Sequence, residues 1–392
     1  MRVLFLSCHL PYPPVSGGRL REFELLRRLA PEAEVHLCAI SKTYEEDLAA
    51  VDRLHGLCAS VAVFRAIADP SDLPFQVRRH GSPQATEYVC SLLREGLADL
   101  VHVEGFYLLR HVPPSPVPVL LVEQNVEYSL GAQRVALAEG AADQRRAFRD
   151  FRETRAQELE AWRRATLCAA VTDDDRSTML QVAPQLDVRL VPDGADHLGL
   201  PPANALGLQP ELLFVANFAY QPNLDAANWF CREILPRVRE QVPEARALLV
   251  GNDPPREVQA LACEHVCVTG RVPSVSRYLD RAAVVVSPLR IGGGVKVKVL
   301  EALYRGKAIV STSIGVQGLG RGARGCIEVA DDADAFAACC SSLLLKPAAR
   351  RALESRARAF RATLPTWDEA AESLLACYRE LAEERQAMPS VG

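Results

Sequence analysis

The segment of the sequence best suited to chemistry is a glycine loop, Gly292–Gly294, between a predicted strand ending at Ser287 and a predicted helix, Lys296–Tyr304. Glycines let a backbone approach a ligand closely, and the free N–H groups of a helix's first turn attract anions. Lys296 and Lys298 are predicted in that turn, where their charges oppose the helix dipole unless an anion binds. The Gly-Lys-Ser/Thr of a Walker A loop is missing. The segment therefore predicts a diphosphate site without a metal clamp, the alternative being a flexible loop with a solvated basic face.

Glu301 follows Lys298 by three residues, on the same face of that helix. Two interpretations stay open for its carboxylate. It forms an ion pair with Lys298 within the helix, or it accepts hydrogen bonds from both hydroxyls of a sugar diol.

A second glycine loop contains Gly17 and Gly18 and lies between the first predicted strand and the first predicted helix. Its position is that of a phosphate-binding loop, but it lacks the Gly-x-Gly-x-x-Gly fingerprint. The acidic residue that usually ends the second strand of an NAD-binding unit is also missing. The two loops together predict a protein that encloses a nucleotide diphosphate and its attached group.

Other groups of reactive residues in the sequence do not predict a further catalytic or metal site. We find no Ser-His-Asp set, no nucleophilic cysteine with a partner and no carboxylate pair of the glycosidase kind. Cys263, His265 and Cys267 are close in sequence, but a zinc site usually needs a second paired cluster, so no metal is predicted. The 12 cysteines are scattered, which is typical of buried thiols in a reducing cytoplasm.

The elements that position these loops alternate between short apolar runs and helical stretches, which predicts an α/β fold with doubly wound parallel sheets. In the first half, strands are predicted at Val3–Ser7, Val35–Ala39, Val61–Phe64, Leu100–Val103, Val119–Val122, Leu167–Val171 and Val188–Val191. In the second half, they are predicted at Leu212–Ala216, Ala247–Val250, Val266–Thr269, Val284–Ser287 and Ala308–Ser311. A Pro-, Gly- and Asn-rich stretch from about Pro192 to Pro210 is the best linker candidate, and the last predicted helix is Trp367–Glu384.

Composition excludes several classes of protein. The chain has 392 residues, 49% of them hydrophobic, with a formal net charge of −4 and no basic stripe for nucleic acid. No apolar run approaches the ~20 residues of a membrane helix, and the apolar N-terminus is interpreted as a strand instead of a signal peptide. The charged helix Ala141–Arg164 has arginines that could contact anionic lipid weakly, but its interspersed acidic residues favour a solvated face.

Several motifs in a fixed order carry a resemblance. They are Asp99-Leu-Val-His102-Val-Glu104-Gly, Glu123-Gln-Asn125-Val-Glu127, Val191-Pro-Asp193-Gly194-Ala-Asp196, Phe214-Val-Ala-Asn217, Val268-Thr-Gly270-Arg271-Val272-Pro, the loop and helix around Lys298, and Gly306-Lys-Ala-Ile-Val310. With them the chain resembles the retaining nucleotide-sugar glycosyltransferases of the GT-B fold, family four, which includes bacterial mannosyl- and glucosyltransferases. That resemblance implies two Rossmann-like domains facing across a cleft. It implies an acceptor-binding domain at 1–195, a donor-binding domain at 196–364, and a C-terminal helix, 365–392, returning to the first domain.

The resemblance also implies residue roles. Catalysis falls to Lys298 and Lys296, which would neutralise the leaving diphosphate, and to His102 and Glu104. Glu104 stands where the family has a reactive histidine, and the alternative for His102 is a buried strand histidine. The donor would be bound by Gly17, Gly18, Asn217, Arg271, Val272, Arg290, Gly292, Gly293, Gly294, Val295 and Glu301. The acceptor would be bound by Glu123, Asn125 and Glu127. Gly293 stands where many members have a glutamate, and Asn217 where they have an arginine, so the lysines carry more of the charge.

The predicted function is transfer of a hexose-type sugar from a nucleotide diphosphate sugar, UDP-linked by family frequency, to an acceptor hydroxyl, without metal or other cofactor. The acceptor stays open between a glycan, a lipid-linked intermediate and a secondary metabolite. Alternatives are a GT-B epimerase or phosphorylase, a nucleotide-sugar binding protein that has lost catalysis and, more distantly, a dehydrogenase.

Overall fold

The computed structural model describes residues 1–69, 73–201 and 209–387. Its chain divides into two compact units. Unit 1 comprises Met1–Asp193 and the last helix, and unit 2 comprises Gly194–Thr366. Within the described ranges, none of the helices combines the length and apolar character needed to span a membrane.

Unit 1 is built on a seven-stranded parallel sheet with strand order β3-β2-β1-β4-β5-β6-β7. Its strands are β1 Arg2–Ser7, β2 Glu34–Ser41, β3 Ser60–Arg65, β4 Leu100–Glu104, β5 Val119–Glu123, β6 Leu167–Ala170 and β7 Val188–Leu190. Its first helices are α1 Gly17–Leu29, α2 Tyr44–Leu48, α3 Phe75–Arg78, α4 Pro83–Arg94, α5 Glu127–Leu137, α6 Ala141–Arg164 and α7 Asp173–Val182. The inner strands are buried on both faces, as expected for a parallel sheet covered by helices on each side.

Unit 2 is built on a six-stranded parallel sheet with strand order β10-β9-β8-β11-β12-β13. Its strands are β8 Gln209–Val215, β9 Arg246–Val250, β10 Val266–Val268, β11 Ala282–Ser287, β12 Ile309–Ser311 and β13 Glu328–Val329. Its helices are α8 Gln221–Trp229, α9 Leu235–Gln241, α10 Arg256–Gln259, α11 Ser276–Arg281, α12 Val297–Tyr304, α13 Gly320–Ala323, α14 Ala333–Leu345 and α15 Pro347–Phe360.

The last helix, α16 (Trp367–Ala387), belongs to unit 1, where it packs on α1, β4 and β5. Trp367 and Tyr378 of this helix are completely buried. Burial of two such large aromatic side chains provides much of the apolar contact that holds α16 on the sheet.

The predicted α/β fold class is confirmed, and each of the predicted strands is present within one to three residues of its expected ends. β13 was not predicted because a two-residue strand carries no periodic pattern. Helix α5 was missed because Gly131 weakens its helical pattern. A Cβ at Gly131 would lie 3.3 Å from Cα of Phe151, so this glycine allows α5 and α6 to approach closely.

A π-helical turn, Phe230–Ile234, connects α8 to α9, and Pro236 falls in the first turn of α9, where a proline is tolerated. The division between the two units, at Asp193 and Gly194, falls inside the predicted linker. Beyond it, Ala195 is completely buried, and Arg305 donates hydrogen bonds to the carbonyls of Leu198 and Gly199. Residues 202–208 of that stretch lie outside the described residues.

Strand order reverses between β1 and β4 in unit 1, and between β8 and β11 in unit 2. In open α/β sheets the loops at such a reversal diverge and leave a crevice at the carboxyl ends of the strands, where ligands bind. The loops that follow these four strands are therefore the places to examine for function.

Candidate functional site

The glycine loop of unit 2 follows β11, as predicted, and leads into α12. Gly294 has a φ of +61°, a conformation that favours glycine. The helix begins at Val297, so Lys296 is its N-cap residue and does not lie in the first turn, which corrects the prediction for that lysine. The ammonium group of Lys296 turns back onto the loop and donates to the carbonyls of Gly293 (3.0 Å) and Gly294 (2.7 Å). A Cβ at Gly292 would lie 3.0 Å from Cε of Lys296, so the absence of a side chain at Gly292 makes room for this contact.

Lys298 lies in the first turn of α12, as predicted, and its side chain contacts β8 and the start of α8. Its Nζ donates to Oδ1 of Asn223 (2.7 Å) and lies 4.6 Å from the ring centroid of Phe214. Asn223 donates in turn to the carbonyl of Asn217 (2.8 Å). Burial, together with the charge of Lys296, lowers the pKa of Lys298 to about 7, although Glu301 opposes the shift. Near neutral pH the ammonium group is thus only about half protonated, and a nearby anion would favour the charged form.

The carboxylate of Glu301, one turn further along α12, contacts a histidine instead of Lys298. Its Oε1 accepts a hydrogen bond from Nε2 of His197 (2.9 Å), and both side chains are nearly buried. His197 belongs to the packed segment that precedes β8. The carboxylate is therefore oriented by a histidine that sequence reasoning missed, since 104 residues separate the two.

The remaining predicted donor residues of unit 2 differ in their surroundings. Arg290 forms an ion pair with Asp225 (Nε to Oδ2, 2.9 Å) and lies over the ring of Trp229. The Asp225 carboxylate raises the pKa of this guanidinium. Oδ1 of Asn217 accepts from the amide of Ala219 (3.0 Å), within its own loop. Arg271 is exposed, and Val272, Gly293 and Val295 are half-buried.

In unit 1, Gly17 is the first residue of α1 and Gly18 the second. A Cβ at Gly18 would lie 3.1 Å from Oε1 of Gln124 and 3.2 Å from Cε1 of His9. Gly18 therefore brings together the loop after β1 and the loop after β5, and neither His9 nor Gln124 was predicted to be in a site.

His102 and Glu104 form a buried pair on β4. His102 is completely buried, stacks on Phe5 with ring centroids 4.1 Å apart, and its Nε2 lies 2.9 Å from Oε1 of Glu104. Burial lowers the pKa of His102. Burial opposes ionisation of Glu104, but hydrogen bonds from His102 and the charge of Arg21 outweigh it and lower the pKa of that carboxyl. A neutral His102 thus donates to an ionised Glu104, whose other oxygen accepts from Gln124 (2.8 Å). The structure shows His102 as a buried strand histidine.

The predicted acceptor residues Glu123 and Glu127 are also buried. Glu123 accepts from Nε1 of Trp162 (2.9 Å), and Glu127 accepts from Nε2 of Gln76 (3.2 Å). Burial, strengthened by neighbouring carboxylates for Glu123, raises the pKa of both residues. Among the three predicted acceptor residues, Asn125 alone is half-buried.

Cys8, which the sequence analysis did not single out as a site residue, has a histidine beside it. Its Sγ lies 3.3 Å from Nδ1 of His9, and Nε2 of His9 lies 3.1 Å from Oε1 of Glu22. The Cys8-His9 pair was visible in the sequence, but Glu22 is supplied by α1 and only folding brings it there. Among the residues that the structure describes, no three His, Cys, Asp or Glu side chains form a group that could hold a metal ion.

Comparisons with known proteins show which family model a part of the chain matches and which solved structures share its fold. Residues 209–346 match the family model described as glycosyl transferases group 1. The whole chain resembles sucrose-phosphate synthase from Thermosynechococcus elongatus, with 20% identity, a TM-score of 0.76, and coverage of 98% of this chain and 100% of the other. The protein is a GT-B glycosyltransferase.

Two further solved structures resemble this glycosyltransferase. WaaG, a glycosyltransferase involved in lipopolysaccharide biosynthesis, has 16% identity and a TM-score of 0.63, with 99% and 100% of the two chains covered. HepE of Anabaena in complex with UDP-glucose has 13% identity and a TM-score of 0.65, with 97% and 100% covered. A comparison with curated proteins found no match. The predictions of a glycosyltransferase and of the GT-B fold are confirmed, and the family match covers most of unit 2.

Proposed function

We propose that this glycosyltransferase moves a hexose-type sugar from a nucleotide diphosphate sugar to an acceptor hydroxyl, with retention at the anomeric carbon and without a metal ion. The observation that carries the proposal is the position of Lys298. Its Nζ donates to Asn223 in the first turn of α8, the helix that follows β8, and Lys298 itself is in the helix that follows β11. The strand order of unit 2 reverses between β8 and β11. With a pKa of about 7, the ammonium group of Lys298 gains its full charge when a diphosphate binds beside it.

The protein has to provide little catalysis beyond charge stabilisation, because a nucleoside diphosphate is a good leaving group. Lys298, together with Lys296 and the backbone of the glycine loop, stabilises the negative charge that develops on the leaving oxygen. That oxygen takes the proton of the acceptor hydroxyl as the glycosidic bond forms. Glu301, oriented by His197, accepts hydrogen bonds from the ribose hydroxyls.

Uracil is the proposed base of the donor nucleotide. Support comes from the structures of Anabaena HepE in complex with UDP and with UDP-glucose. Arg271 and Val272 border the base. They follow β10, and the glycine loop follows β11, so both lie at the carboxyl ends of the parallel strands of unit 2. Arg290, Asn217 and Val295 complete the donor-binding surface.

Acceptor binding is proposed for unit 1, in the loops after β1, β4 and β5, which include Gly17, Gly18 and Asn125. Glu123, the last residue of β5, and Glu127, the first residue of α5, flank the loop that contains Asn125 and are buried. The acceptor's class stays open between a glycan, a lipid-linked intermediate and a secondary metabolite. A cytoplasmic location and a weak contact between α6 and anionic lipid stay predictions.

The test starts with a thermal-shift screen of the full chain against UDP-, dTDP- and GDP-sugars, followed by transfer assays over an acceptor panel. We expect UDP-sugars to stabilise the protein most, and NMR of the product to show the anomeric configuration of the donor. Activity should persist in EDTA. An epimerised nucleotide sugar would favour the epimerase alternative. Tight binding with no turnover over the panel would favour a protein that has lost catalysis.

A further inference from the structure

Cys8 occupies a position at which ligands of α/β proteins commonly bind. It is the first residue after β1, beside the reversal of strand order in unit 1, and it is half-buried. Its Sγ lies 3.3 Å from Nδ1 of His9. His9 is held from its other side by Glu22 (3.1 Å), and Glu22 accepts a hydrogen bond from Oγ of Ser7 (2.5 Å). A thiol, an imidazole that can take its proton, and a carboxylate that orients the imidazole are the parts of an activated nucleophile.

The groups on the other side of Cys8 add to this arrangement. The hydroxyl of Tyr107 donates to Sγ of Cys8 (3.6 Å), and its ring stacks on His80 with centroids 4.4 Å apart. Lys42 donates to Nε2 of His80 (2.8 Å), which places a cation in the same cluster.

The charges around Cys8 favour its thiolate form. Burial opposes ionisation, but the charge of His9, its hydrogen bond to Cys8 and the charge of Lys42 hold the pKa of Cys8 well below its usual range. The carboxylates of Glu22 and Glu127 repel a negative charge on Cys8 and therefore oppose its ionisation. Glu22 and Cys8 together raise the pKa of His9 to about 10, despite its burial, so the imidazole keeps the proton.

We propose that Cys8, with the His9 imidazole beside its sulfur, is a nucleophilic modification site that reacts selectively with small soft electrophiles. With iodoacetamide, the sulfur attacks the carbon that bears iodine, a sulfur–carbon bond forms, the carbon–iodine bond breaks and iodide leaves. His9 takes the proton of the thiol, so no further base is required. This inference does not rest on the proposed function, because the reaction involves neither a nucleotide nor an acceptor.

Other cysteines of the chain provide internal comparisons. Cys263 and Cys267 are exposed on unit 2, so accessibility favours them over Cys8. Burial raises the pKa of Cys38, Cys58, Cys168 and Cys231 to about 12 or above, which makes these thiols unreactive near neutral pH.

The experiment is alkylation of the full chain with iodoacetamide, followed by peptide mass spectrometry of each cysteine. At about pH 6.5 an ordinary thiol is roughly 1% ionised, so Cys8 should react at least ~10-fold faster than Cys263 and Cys267. His9→Gln should remove this advantage, while the matched variant His265→Gln should leave it intact. Equal rates for Cys8 and the exposed cysteines at that pH would overturn the proposal.

A second measurement covers the case in which His9→Gln does not fold. A thiolate absorbs in the ultraviolet more strongly than a thiol, so the absorption of the wild-type protein and of Cys8→Ser should differ at about pH 6.5 by one thiolate per chain. A difference that appears only above about pH 8 would show an ordinary thiol and contradict the proposal.

Discussion

The hydroxyl of Tyr378 on α16 lies 2.7 Å from Nδ1 of His102 on β4, a contact between residues 276 positions apart. From His102 the hydrogen bonds continue to Glu104 and then to Gln124, whose Oε1 lies beside Gly18. This chain of side chains connects the last helix to the glycine loop of unit 1. Because His102 donates through Nε2 to Glu104, its Nδ1 is an acceptor and Tyr378 is the donor.

Tyr378→Phe removes that donor and leaves a buried nitrogen without a partner. We expect a loss of about 1–2 kcal/mol in the free energy of unfolding, measured by urea denaturation. The matched control is Arg379→Ala, which removes an exposed ion pair with Glu372 on the same helix and should cost less than about 0.5 kcal/mol. Equal losses for the two variants would show that the Tyr378 hydrogen bond does not stabilise the fold.

The pKa of Lys298, about 7, predicts a pH-dependent affinity for UDP. A bound diphosphate favours the ammonium form, so UDP binding above about pH 7 must be accompanied by uptake of a proton. Affinity should therefore be highest below pH 7 and fall by up to about tenfold per pH unit above it. Calorimetry in two buffers of different ionisation enthalpy measures the proton uptake directly. Lys298→Met should abolish the uptake and the exposed-site control Lys346→Met should keep it, whereas an uptake unchanged in Lys298→Met would assign the proton to another group.

The same lysine has an effect on stability without ligand. The pKa of Lys298 is lowered in the folded chain, so between about pH 7 and pH 10.4 the unfolded chain binds the extra proton. This contribution to the free energy of unfolding therefore rises with pH across that window. Comparing urea denaturation of the wild type and Lys298→Met at both ends of the window isolates it, and a parallel pH dependence for the two proteins would contradict the shift.

Lys298→Ala should reduce sugar transfer by at least ~100-fold, the usual effect of removing one preorganised charge at a developing anion. The fold should be retained, since Lys298 is only half-buried. Steady-state kinetics with UDP-sugar and circular dichroism check the two statements. Activity within tenfold of the wild type would exclude the proposed role.

Glu158 on α6 should stabilise unit 1 by capping α5. Its two carboxyl oxygens accept from the amides of Glu127 (2.8 Å) and Tyr128 (2.9 Å) at the start of that helix. Glu158→Ala leaves both buried amides unpaired and should cost about 2–4 kcal/mol, whereas Glu158→Gln keeps one acceptor and should cost about half as much. Urea denaturation of the two variants measures this order, and equal costs would indicate that packing, not capping, accounts for the effect.

The sequence by itself determined the elements and their order. Strands such as β1 and β11 and helices such as α1 and α12 were predicted because apolar periodicity and glycine positions are local properties of the chain. The same local pattern placed the glycine loop after β11 and Lys298 in the first turn of α12.

Only the tertiary structure decided which side chains meet. Asn223 with Lys298, His197 with Glu301, Tyr378 with His102 and Glu22 with His9 join residues far apart in the sequence, and no local pattern encodes those distances. The tertiary structure also determines which side chains are ionised, since the pKa of Lys298 depends on how deeply packing buries its ammonium group. A sequence can name the residue types for a site, but burial and distance, which set their chemistry, arise only when the chain is packed.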